Sequence, residues 1–122
     1  MEGKIYKDFH QLPIWRGGFD LLMSVYNLTD KFPDSEKLAL ISQLRRSANS
    51  IIANIAESHG RFSYADKIRV LYIARGEITE TRSHLAVAYG RRYISKEDFT
   101  KLNNNYCQLA KDLNLYINSL KH

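Results

Sequence analysis

Phe99-Thr-Lys-Leu102-Asn-Asn-Asn-Tyr106-Cys-Gln-Leu109-Ala-Lys-Asp-Leu113-Asn-Leu-Tyr116-Ile-Asn-Ser-Leu120 decides the fold class. Apolar side chains recur at spacings of three and four through three unbroken heptads, which is the period of a helix with one buried stripe. Ser95 with Asp98 three residues on has the form of a capping box, so the stretch predicts a helix over 95–121.

Working back along the chain, the same period returns three times. Leu71, Ala74, Ile78, Thr81, Leu85 and Ala88 predict a helix over 63–89, with Ser63 as its cap and Gly90 after it. Ile41, Leu44, Ala48, Ile51 and Ile55 predict one over 34–58, opened by Asp34-Ser35-Glu36 and closed by Gly60 in a left-handed conformation. Trp15, Phe19, Leu22 and Tyr26, with Leu12 behind them, predict a helix over 13–31 that stops before Pro33. Four helices joined by short loops imply one all-α domain over 1–122, an antiparallel up-down four-helix bundle.

Of 122 residues, 44% are hydrophobic and 25% charged, with 6 Gly and 2 Pro, which excludes disordered and collagen-like classes. Cys107 is the single cysteine, so no intramolecular disulfide can form, and its place beside Tyr106 suits packing better than nucleophilic chemistry. The N-terminus carries charges where a secretory signal needs an apolar run, and no uncharged stretch is long enough to span a membrane. These features lead to an expectation of a cytoplasmic protein.

The net charge of +5 is unevenly spread. Residues 61–92 hold seven cations, Arg61, Lys67, Arg69, Arg75, Arg82, Arg91 and Arg92, against Asp66, Glu77 and Glu80. Six of those seven are arginine, whose planar fork suits phosphate. Arg75 and Arg82 stand seven apart on the shoulder of the third helix's stripe. They either pair with carboxylates of a neighbouring helix or form a phosphate-facing row. Glu57 is a partner only for residues near the turn that follows it. Arg91-Arg92-Tyr93 and Arg61-Phe62 join cation and ring in the flanking loops, a combination able to hold phosphate and stack on unpaired bases. Val70, Ile73 and Val87 form a second apolar face on the third helix, which suggests self-association.

Gln43, Arg46, Ser47, Ser50, Asn54 and Glu57 share a polar face of the second helix. Ser and Asn are poor mid-helix surface residues, so this face is a polar network at a helix contact, a plain surface or a ligand site. Catalytic patterns are weak. His10, His59, His84 and His122 are scattered, and Glu80 with His84 is the nearest approach to a metal-binding pair. No zinc spacing or glycine-rich phosphate loop occurs, so neither enzyme activity, a metal nor a cofactor is expected.

Gln43-Leu-Arg-Arg-Ser-Ala-Asn-Ser-Ile-Ile-Ala-Asn-Ile-Ala-Glu57 resembles the signature of the bacterial four-helix-bundle proteins encoded by 23S rRNA intervening sequences. Trp15, Tyr26, Phe32-Pro33, Glu36, Gly60-Arg61, Ala74-Arg-Gly76 and Glu80 extend the similarity over most of the chain. Ser58 stands where the family has Gly, and Glu77 where it has Ser. The resemblance implies a bundle that assembles as a homopentameric ring. It is shared more distantly with the accessory variability determinant of diversity-generating retroelements, a basic pentamer that binds nucleic acid and a reverse transcriptase. It also marks Gln43, Arg46, Ser50, Asn54, Glu57, Gly60 and Gly76 as a fold and assembly signature. The leading expectation is an oligomeric RNA- or DNA-binding protein using residues 61–92 and Tyr93. The rival is a scaffold that docks a protein such as a polymerase.

Overall fold

Each apolar stripe builds a helix, and the computed structural model packs four of them around one core. It describes residues 5–121; the N-terminus through Lys4, and His122, lie outside the described residues. The helices are α1 (Pro13–Thr29), α2 (Leu40–Gly60), α3 (Tyr64–Gly90) and α4 (Lys96–Leu120). Each packs on two neighbours, α1 on α2 and α4, and α3 on α2 and α4, while the diagonal pairs stay apart. The described residues contain no strand, and no helix among them is long and apolar enough to cross a membrane.

Three seams follow the sequence period. Every stripe position named above on α2 and α3 is buried, as are Leu102, Tyr106, Leu109 and Leu113 on α4. Near the end of α4, Ile117 takes the buried place and Tyr116 is only partly covered. Ser63 and Ser95 cap their helices, accepting from the backbone N–H groups of Asp66 at 3.1 Å and Asp98 at 3.0 Å. Truncating a fully buried leucine such as Leu44 or Leu85 to alanine should cost about 2–5 kcal/mol.

α1 is rotated from its expected register. Ile14, Gly18, Leu22, Val25 and Thr29 face the core, whereas Phe19 and Tyr26 are exposed and Trp15 half-buried. Gly18 supplies the reason, because a Cβ there would stand 2.5 Å from Ile52 Cγ2. This close approach draws α1 onto α2 along its small residue and leaves the rings on the flank. There Phe9 meets Trp15 edge-on at 5.1 Å, and Trp15 stacks on Phe19 at 5.3 Å. The guanidinium of Arg45 covers Tyr26 at 4.6 Å and donates to Thr29 and Asp30, fastening the end of α1 to α2.

α2 begins six residues later than its capping residues suggested. Asp34–Glu36 form a 3-10 turn, and α2 starts only at Leu40, whose N–H donates to Glu36 Oε1 at 3.3 Å. Glu36 caps this later start, and its other oxygen accepts from the Tyr93 hydroxyl at 2.8 Å. At its far end α2 runs through Gly60, which is not left-handed. Lys67 Nζ takes the capping role by donating to the carbonyls of His59 at 2.8 Å and Ser58 at 3.4 Å. Val70 is likewise corrected: it is buried, leaving Ile73 and Val87 on the exposed side of α3. Tyr106 is fully buried, and its hydroxyl has no hydrogen-bond partner among the described residues.

Candidate nucleic-acid interface

The seven cations of residues 61–92 do not share one surface. Arg61 ion-pairs with Glu57, four residues back, as the nearness of that acid to the turn allowed. Arg69 Nε lies 3.6 Å from Asp66. Lys67 is engaged with the end of α2, and burial pushes its pKa down. Arg91 leans on Tyr93, with its guanidinium 5.7 Å from the ring centre. Tyr93 itself packs against Phe32 at 5.3 Å and donates to Glu36, so its ring belongs to the end of the bundle rather than to an open loop. Arg92 is exposed in the α3–α4 turn at φ 64°. Phe62 is fully exposed.

Arg75 and Arg82 behave differently. Arg75 Nη1 donates to Asn114 Oδ1 at 3.0 Å, and Arg82 Nε donates to Asn103 Oδ1 at 2.8 Å. Neither is ion-paired with a carboxylate among the described residues. An amide oxygen fixes the guanidinium without cancelling its charge. Tyr72, Arg75, Thr79 and Arg82 follow one another at spacings of three and four on the α4 side of α3. At 100° per residue, Lys96, Lys111 and Lys121 fall within about 80° of one another on the α4 edge that carries Asn103 and Asn114. None of these three lysines is ion-paired among the described residues, and the sequence reading had not grouped them with the arginines. Asp66, Glu77, Glu80, Asp98 and Asp112 fall on other sides of their helices, with Glu97 at the outer margin.

Rings stand at both ends of this row. The Arg75 guanidinium lies 4.6 Å and the Lys121 ammonium 5.7 Å from the Tyr72 ring centre. The hydrogen bond from Lys121 pulls the Tyr72 pKa below its ordinary value, and the two positive charges add to the effect. At the other end Tyr89 stacks on Phe99, with 5.1 Å between centres and 14° between planes.

The α2 side of α3 is built from opposite charges. Arg46 ion-pairs with Glu80, lies 3.8 Å from Glu77 and donates to Gln43 at 3.2 Å. His84 Nε2 lies 3.1 Å from the same Glu80 carboxylate. Burial lowers the His84 pKa, with a smaller push from Arg46 opposed by Glu77. One residue along on each helix, the buried hydroxyls of Ser47 and Thr81 bond at 2.8 Å. The polar face of α2 thus joins a network at its Arg46 end. Further along, Asn54 turns back to the Ser50 carbonyl at 2.8 Å and hydroxyl at 3.1 Å. No three His, Cys, Asp or Glu side chains gather to hold a metal ion among the described residues.

The sequence matches the 23S rRNA-intervening sequence protein family over residues 10–115. The chain belongs to that family. Its fold is similar to the crystal structure of a protein of unknown function from the S23 ribosomal protein family of Bacteroides thetaiotaomicron. The two are 30% identical, the alignment covers 85% of this chain and 97% of the other, and the TM-score is 0.78. No curated protein matches the sequence.

Within the family pattern, the two departures have definite places. Ser58 is buried at the end of α2, its hydroxyl donating to the Ile55 carbonyl at 2.7 Å. Glu77 supplies the second carboxylate beside Arg46. Gly60 and Gly76 share a different property: a Cβ on either would meet nothing within 4 Å among the described residues. Packing inside the protomer therefore does not require the glycine at position 76. It sits in mid-helix, where glycine costs about 1 kcal/mol relative to alanine.

Proposed function

We propose that this member of the 23S rRNA-intervening sequence protein family is a non-enzymatic, cytoplasmic RNA- or DNA-binding protein. Its contact surface is the α3/α4 side, where Arg75 and Arg82 meet the phosphate backbone with Lys96, Lys111 and Lys121 beside them. One observation carries the reading: both arginines are held by asparagine oxygens instead of carboxylates, so their charge stays available. The family's association with 23S rRNA makes a structured rRNA fragment the first probe. Its affinity should fall by at least tenfold between about 50 and 200 mM salt, because neutralised phosphates release counterions. An affinity that stays flat over that range would refute the reading.

The protein works in this proposal as a homo-oligomer, with the pentamer of the family resemblance as the expected state. Gly76 supports a close approach by a second copy, since its missing side chain serves nothing within the protomer. Ile73 and Val87, 46% and 49% exposed, lie on the same side of α3. Light scattering on the Gly76→Leu variant should show a smaller particle with helicity retained. A second reading, the scaffold that docks a protein such as a polymerase, is favoured by the exposed flank of α1 at Phe19, Met23 and Tyr26. It predicts a partner that survives nuclease treatment in a pull-down and little affinity for nucleic acid.

A further inference from the structure

We infer that the α3/α4 side takes an unpaired polynucleotide strand in preference to a duplex, an inference that rests on its proposed role as a phosphate-binding surface. Charge alone does not discriminate the two, since both offer phosphates. The rings do. The Arg75 guanidinium lies over Tyr72 at 4.6 Å and is held at its edge by Asn114 at 3.0 Å, so ring and guanidinium form a fixed layer. The residue remains exposed, and an unpaired base can extend the layer on the far side of the guanidinium while its remaining N–H groups reach phosphate. Fourteen residues on, about 21 Å along α3, Tyr89 and Phe99 form a second stacked layer, with Tyr89 40% exposed. Arg82 stands midway, oriented by Asn103.

A strand lying along α3 therefore meets a stacking layer, a cation and a second stacking layer in that order. A duplex can use the cations, but its base faces are covered by their own neighbours, and both layers go unused. Base stacking of this kind tolerates any sequence because every base has a planar face.

The test uses fluorescence anisotropy with labelled 12-nucleotide RNA and DNA strands of mixed, non-self-pairing sequence, their duplexes, and heparin as a polyanion without bases. At equal salt a single strand should bind at least fivefold more tightly than its duplex. The strand bound more tightly identifies the sugar, and either one satisfies the expectation. Tyr72→Leu should weaken strand binding roughly tenfold while changing heparin binding less than twofold. Tyr72→Phe, which keeps the ring, should bind as the parent does, and circular dichroism checks that each variant is folded. Duplex binding equal to strand binding, or a Tyr72→Leu loss shared by heparin, overturns the preference while salt-dependent binding leaves the phosphate-contact reading standing. Absence of salt-dependent binding to every probe overturns that reading and the preference together.

Discussion

The two flanks of α3 use the same residue type to opposite ends. On the α2 side, Arg46 meets Glu77 and Glu80, and each positive charge is answered within a few ångströms. On the α4 side, Arg75 and Arg82 are oriented just as definitely, but by asparagines. Fixing a guanidinium and neutralising it are separate operations, and this bundle performs them on separate faces. A tally of arginines cannot distinguish them; the partner atom can.

The strongest way to break this contrast is to remove the amide-held cations. Arg75→Ala with Arg82→Ala should lower RNA affinity by tens of fold and reduce the salt slope by about two, one per lost phosphate contact. Arg61→Ala with Arg69→Ala, removing as many charges from carboxylate-paired positions, should change affinity less than threefold. Equal losses in both double variants would erase the distinction between the faces.

A subtler change leaves the arginines in place and alters only what holds them. Asn103→Asp with Asn114→Asp should cost about tenfold in affinity, because each carboxylate ion-pairs with its arginine and competes with phosphate. Denaturant titration should show stability preserved. On the other flank, Arg46→Ala should cost about 1 kcal/mol in the same titration, since these pairs are partly exposed, and should leave RNA affinity unchanged.

The smallest effect is a dependence on pH. His84 has its pKa lowered in the fold by burial first, so the unfolded chain binds a proton more readily. Its contribution is complete above the unfolded value of about 6.5 and declines as pH falls toward the lower folded value. Arg46, Glu77 and Glu80 face it, and His84→Gln should flatten the stability profile between pH 7 and 6 without moving RNA binding.

The seams of α2 and α3 were legible because small and aliphatic side chains repeat there without interruption, and most of α4 followed because leucines flank its one buried ring, Tyr106. α1 misled, since its largest apolar residues are aromatic and sit comfortably on a flank. What faces the core is set by Gly18, whose role exists only against Ile52. Asp34, Ser35 and Glu36 were recognisable as capping residues, but the break at Ala39 moved the start of α2 beyond them. In the candidate interface, the period of Arg75 and Arg82 was visible and their partners were not. Asn103 and Asn114 are 21 and 39 residues away from the arginines they hold. Sequence could pose the choice between carboxylate and phosphate, but it did not suggest the neutral amides. Arg61 with Glu57 was legible because the pair is local.

Tyr106 gives the bundle a limit at the alkaline end. It is one of eight tyrosines, and burial raises the pKa of its hydroxyl far above the ordinary 10.0. A phenol that loses its proton more readily in the unfolded chain withdraws stability as pH climbs past its unfolded value. An ultraviolet titration can follow that loss. The signal of Tyr106 should arrive late and abruptly, together with the loss of helix, so that one absorbing oxygen reports the opening of the entire core.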